Sequence, residues 1–124
     1  MASNNNHPGT NRKIDKEVAD LARSRLRAMD VVTQSEKNSR VCDRIANRIG
    51  ALAAVNDVFR ANVIFTFLDR NFQIACTKAK NLRERFSAYA IFLPVSNHII
   101  FPYDLNRDQE MAHEFYHAQK HTEH

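Results

Sequence analysis

The hydrophobic period of this 124-residue chain changes near Asn56-Asp57, and that change limits the folds open to it. Before it, Ile14, Val18, Leu21, Ala22, Leu26 and Met29 follow an i, i+4, i+7, i+8 pattern, which predicts an amphipathic helix over 12–29. Thr33 followed by Glu36 has capping-box spacing. A second helix should start there and carry Val41, Ile45, Ile49, Leu52 and Val55 on its apolar face, with Gly50 inside it a small cost. After the change, 63–68 is dense in β-branched and aromatic residues and predicts a buried strand, with Asp69-Arg70-Asn71 as a turn and 72–77 as a hairpin partner. A basic polar connection over 78–85 follows, with room for a short helical turn. Two more strands are expected at 88–93 and 98–101, separated by Pro94-Val95-Ser96-Asn97, with Pro102 closing the last. The expected class is α+β: two N-terminal helices packed on a small sheet of three or four strands, mixed or antiparallel, followed by a third helix.

Composition sets the outer limits. The length suits one domain, 12–124, behind a tail at 1–11 whose Asn4, Asn5, Asn6, Pro8 and Gly9 predict disorder. No apolar run approaches the roughly 18 residues needed to cross a bilayer, so the expectation is a cytoplasmic chain with no membrane partner. Cys42 and Cys76 are too few and too far apart for a disulfide framework or a thiolate metal site. The whole formal excess of +4 falls in residues 1–60, where Arg40, Arg44 and Arg48 recur every four residues as a stripe along one helix side. Such a stripe can face solvent or meet phosphates, although no aromatic residues interleave with it as stacking platforms.

The third helix is signalled by Asn106 as a cap, Gln109 at the capping-box position, and Asp108 and Glu110 in the first turn. It carries His113-Glu114-Phe115-Tyr116-His117. With His113 at zero, His117 falls at about 40° and Glu114 at about 100° around the axis, while Met111, Phe115 and Ala118 gather between about 140° and 200°. One side can therefore pack on the sheet while the histidines face a cleft. Two imidazoles four residues apart can reach one zinc ion. Glu114, beside them, suits a general base that takes the proton of an attacking water.

The stretch Met111-Ala112-His113-Glu114-Phe115-Tyr116-His117-Ala118 resembles the active-site helix of the zincin metallopeptidases, whose longer pattern wants uncharged residues around the motif; Gln119 departs from it. The resemblance implies a zinc-dependent peptidase acting on a peptide or protein substrate, with Zn2+ as cofactor, His113 and His117 as ligands and Glu114 as the catalytic residue. It also implies that an extended peptide adds to the edge strand before the metal helix, here matched to 97–101. A third ligand is needed. One zincin branch places it ten residues after the first histidine, at Glu123 here, but with a glycine where this chain has Lys120. On a straight helix His121 and His124 lie about 12 Å and about 16 Å beyond His113. The sources left open are Glu123 or His121 folding back, His98 upstream, a second chain, or an incomplete site. The rival expectation is a catalytically incomplete module that binds nucleic acid or an acidic protein through Arg40, Arg44 and Arg48.

Overall fold

The structure, a computed structural model, describes residues 8–29 and 35–123. In chain order these form α1 (Pro8–Arg25), β1 (Leu26–Ala28), α2 (Ser35–Val55), α3 (Asp57–Phe67), β2 (Gln73–Thr77), α4 (Ala79–Phe86), β3 (Ile91–Leu93), β4 (His98–Pro102) and α5 (Asp108–Glu123). The class is α+β, with five helices and a four-stranded mixed sheet among the described residues. The strand order is β1-β2-β4-β3; β1 and β4 run parallel to β2, and β3 is the antiparallel edge beside β4.

The first helix is longer at one end and shorter at the other than its periodicity predicts. It reaches back to Pro8, within the expected tail, and a proline is tolerated in a first helical turn because its missing N–H has no acceptor there. It stops at Arg25, and Leu26–Ala28 pairs with Ile74, Ala75 and Cys76 instead of continuing the helix to Met29. Arg25 explains the stop. Its guanidinium donates to the carbonyls of Phe67 (2.6 Å), Asp69 (2.9 Å) and Phe72 (3.0 Å), and lies 5.3 Å from the Phe67 ring centroid. This single side chain fastens the end of α1 to the turn that leads into β2.

Of the expected capping pair, Thr33 lies outside the described residues, and Glu36 falls within α2. Along α2, Ile45 and Ile49 are buried as expected, Leu52 is half-buried, and Val55 is exposed. Gly50 has a larger part than its propensity suggests. A Cβ there would collide with the Asp15 carbonyl oxygen, lie 2.6 Å from Asp15 Oδ1 and 3.0 Å from Ala19 Cβ, so α1 and α2 cross where there is no side chain to hold them apart. Arg23 closes the same pair, with Nε 2.6 Å from Asp43 Oδ1 and Nη2 3.1 Å from Asn47 Oδ1. Gly50→Ala is expected to destabilise the protein by about 1–3 kcal/mol through overpacking, despite alanine's better helix propensity. A urea midpoint no lower than that of the wild type would show that the helices part without cost.

The largest correction concerns 63–68, which is helix α3 and not a strand, so the expected hairpin with 72–77 does not form. Asn56 caps the helix, its side chain accepting from Phe59 N at 2.9 Å, and Asp57 sits in the first turn where the dipole favours an acid. Phe59, Val63, Thr66 and Phe67 then bury one helical face. β-Branched residues pack well in either element, and here the cap decides.

β2 and β4 are central strands with both faces covered. Ile74, Cys76, Ile99 and Phe101 point into the main core with α1, α2, α3 and α5. The alternate residues Ala75 and Ile100 meet Leu82 of α4 on the other face, together with Phe86, Ile91 and Leu93. The β3–β4 hairpin matches the sequence expectation, although β3 is only Ile91–Leu93. Pro102 ends β4 opposite Thr77, where loss of an N–H is tolerated.

Candidate metal centre

The histidine helix begins at Asp108. Its first backbone bond, Met111 N to Arg107 O at 3.0 Å, puts the cap position at Arg107 and not at Asn106. Its buried side is Met111, Phe115 and Ala118, all at 0% exposure, as the angular reading expects. Phe115 stands among Phe59, Phe67, Phe72 and Phe101, with ring centroids 5.5 to 6.1 Å away. This packing fixes the rotation of α5 and turns His113 and His117 outward.

The two imidazoles meet on that outer side. His113 Nε2 and His117 Nε2 are 3.0 Å apart, with the rings edge to face. Two nitrogens bound tetrahedrally at about 2.0–2.1 Å from zinc would stand about 3.3 Å apart, so the pair fits one ion with a small adjustment. Tyr116 and Lys120 border the pair: the Tyr116 ring is 6.2 Å from that of His117, and Lys120 Nζ lies 5.8 Å from the tyrosine centroid.

Glu114 leans toward β3, lining the same groove as the histidines, and is 6% exposed. Burial first, then a hydrogen bond and like charge from Glu110, raise its pKa to about 8 against the opposing hydrogen bond from the Phe92 backbone N–H. Glu110 and Glu114 are one turn apart, so the Glu110 carboxylate disfavours charge on Glu114. Phe92 also touches the site through its ring, 5.5 Å from that of His121. One edge-strand residue thus fastens both Glu114 and His121. An open groove of about 400 Å³ runs between Ile91, Phe92 and Pro94 on one side and His113, Glu114, His117 and His121 on the other.

This position corrects the expected substrate strand. Residues 97–101 lie largely in β4, a central strand paired on both sides; the strand at the groove is β3. The crossover through α4 sets β4 beside β2, and the hairpin then leaves β3 outside.

The candidates for a third ligand do not converge. Among the described residues no group of three His, Cys, Asp or Glu is placed to hold a metal ion. α5 continues without a break to Glu123, which puts that residue's backbone about 15 Å beyond His113. His121 lies a turn past His117 against Phe92. His98 sits on β4 beside Leu93 and Gln73, outside the groove lining, its pKa lowered by burial and by the charge of Arg27.

The arginine stripe is partly used for structure. Arg44 donates to the Leu105 carbonyl at 3.4 Å, and Arg48 Nε stands 2.9 Å from Asp108 Oδ1 as an ion pair without hydrogen-bond alignment. Arg44 thus ties α2 to the segment before α5 and Arg48 ties it to the first residue of α5, while Arg40 is exposed. Sequence reasoning missed the Glu110–Glu114–Phe92 contacts and a second cavity of about 190 Å³ at the start of α5, where Arg107 lies 4.0 Å from the Tyr89 ring centroid near Arg83, Asp104 and Glu110. The i, i+4 spacing of the two glutamates was a visible signal for the first. No helix among the described residues is long and apolar enough to cross a membrane. No family model, curated protein or solved structure matches the chain.

Proposed function

We propose that this protein is a zinc-dependent peptidase of the zincin type, with His113 and His117 as ligands and Glu114 as the proton-transferring residue. The observation that carries the reading is the pair of Nε2 atoms 3.0 Å apart over a groove whose opposite wall is an edge strand. An extended peptide can lie in the groove along β3, whose Phe92 N–H is already taken by Glu114, with its carbonyl toward the histidines. Zinc bound there would act as a Lewis acid and lower the pKa of water to about 7. Glu114 takes the proton of the attacking water and delivers it to the departing amine. Its metal-free pKa of about 8 is too high for a base at neutral pH, and a cation beside it draws that value down. Phe92 N–H and Glu110 hold the carboxyl in place. Catalytic zinc keeps three protein ligands, and the described residues furnish two, so the proposal requires one more donor from a second polypeptide or from residues outside the described set.

Metal analysis of the untagged 124-residue chain tests the site directly. The expected result is near-stoichiometric zinc at neutral pH, with His113→Ala and His117→Ala each weakening uptake by at least about tenfold, the lower range seen when metal-site partners are lost. A wild-type chain that retains no zinc, or variants that retain it equally well, would remove the proposed centre.

A further inference from the structure

Helix α3 is apolar on nearly every side. Asp57 and Arg60 are its only charged residues, and they pair with each other at 2.6 Å. Phe59, Val63, Thr66 and Phe67 occupy the buried face. The opposite face carries Val58, Ala61 and Phe65, continued by the C-cap Leu68, and all four are exposed, Val58 by 72% and Leu68 by 71%. A helix that is hydrophobic all round is ordinarily covered all round.

The spacing of the uncovered residues indicates what covers them. Val58, Ala61, Phe65 and Leu68 follow one another by three, four and three residues, the a/d seam along which one helix packs against another. The seam is also complementary to itself. When α3 lies antiparallel to its own copy about a two-fold axis at Val63, Val58 meets Leu68 and Ala61 meets Phe65, so each ring enters the space left by the small residue. Closed two-fold pairs repeat each contact in this way. With Val55 and Ile64 at its margins, the face offers roughly 500 Å² per copy, and a pair would bury about 1,000 Å², the lower limit of a specific interface. Asp57, paired with Arg60, borders the seam beside Leu68, and none of the groove residues belongs to it.

We propose that the protein forms a two-fold homodimer through the outer face of α3. Sedimentation velocity on the full chain, from about 1 to about 200 µM, is expected to show a monomer–dimer equilibrium in the micromolar range suited to so small an interface. Ala61→Glu should weaken it by at least about 100-fold, since a charge would be buried without a partner. Phe65→Ala should weaken it by about tenfold, and the exchanged variant Ala61→Phe with Phe65→Ala should recover most of the loss, because each large residue again faces a small one. Circular dichroism confirms that each variant is folded; if Ala61→Glu is not, the wild type and the exchange pair decide. A wild type monomeric throughout, or a dimer indifferent to these changes, overturns the proposal.

Discussion

Glu114→Gln is expected to reduce peptide hydrolysis by about 10²- to 10⁴-fold, the range that a positioned general base contributes, while zinc uptake stays at the wild-type level. Glutamine keeps the shape of the side chain and can donate to Glu110 as the protonated carboxyl does, but it cannot accept a proton from water. Turnover of a quenched peptide measured beside bound zinc separates the two effects. Unchanged turnover would eliminate the mechanism, and loss of zinc together with activity would assign the residue to the metal site itself. The same substitution has an opposite consequence for metal-free stability. The Glu114 pKa rises from 4.5 to about 8 on folding, so between those values the folded protein keeps a proton that the unfolded chain releases. The stabilisation tied to that proton is complete below pH 4.5 and is lost as the pH rises toward 8. Glu114→Gln has no such loss. The melting temperature of the metal-free variant should therefore gain on the wild type as the pH is raised from 5 to 8, and parallel pH profiles would contradict the buried Glu114 carboxyl.

Phe115→Ala is expected to cost about 3–5 kcal/mol, the range for a fully buried aromatic cut back to a methyl. The ring is at 0% exposure and faces four phenylalanines from α3, β4 and the segment before β2. Against a typical total of about 5–15 kcal/mol, this is enough to leave a large unfolded fraction at physiological temperature. For a domain of this size the melting temperature should fall by roughly 10 °C or more. Phe115→Leu should lose much less, because it leaves a smaller void. Chemical denaturation followed by circular dichroism is the check, and a loss below about 1 kcal/mol would mean that α5 is not anchored by this ring. Phe115 directly follows Glu114, so the anchor of the helix and the proposed base share one turn.

The parts legible from sequence were those fixed within a few residues. Met111, Phe115 and Ala118 announced the buried side of α5 by spacing, and Pro94 to Asn97 announced the hairpin; Asn97 adopts the left-handed φ of 54° that a tight turn can require. The segment 63–68 was misread because Val63, Ile64, Phe65 and Phe67 suit a strand by type. The cap at Asn56 and the helical recurrence of Phe59, Val63, Thr66 and Phe67 were equally visible and pointed correctly. Other features had no local signal. Leu26–Ala28 becomes a strand by pairing with Ile74–Cys76, while Arg25 before it is held by carbonyls more than forty positions away. The substrate edge was assigned to the wrong strand because strand order depends on the α4 crossover and not on sequence adjacency.

The strand pairings enclose very different lengths of chain. Leu93 reaches His98 through a short turn, whereas Leu26 meets Ile74 only after roughly fifty residues, and loop entropy makes the second closure the costlier one. β1 is three residues long and bonded along one edge, so it has little local pairing to offset that cost. The sheet should therefore open from the β1 side first, with hydrogen exchange fastest at Leu26–Ala28 and slower across β3 and β4. The wall of the groove would then outlast the far margin of the sheet, so that partial unfolding begins away from the proposed centre.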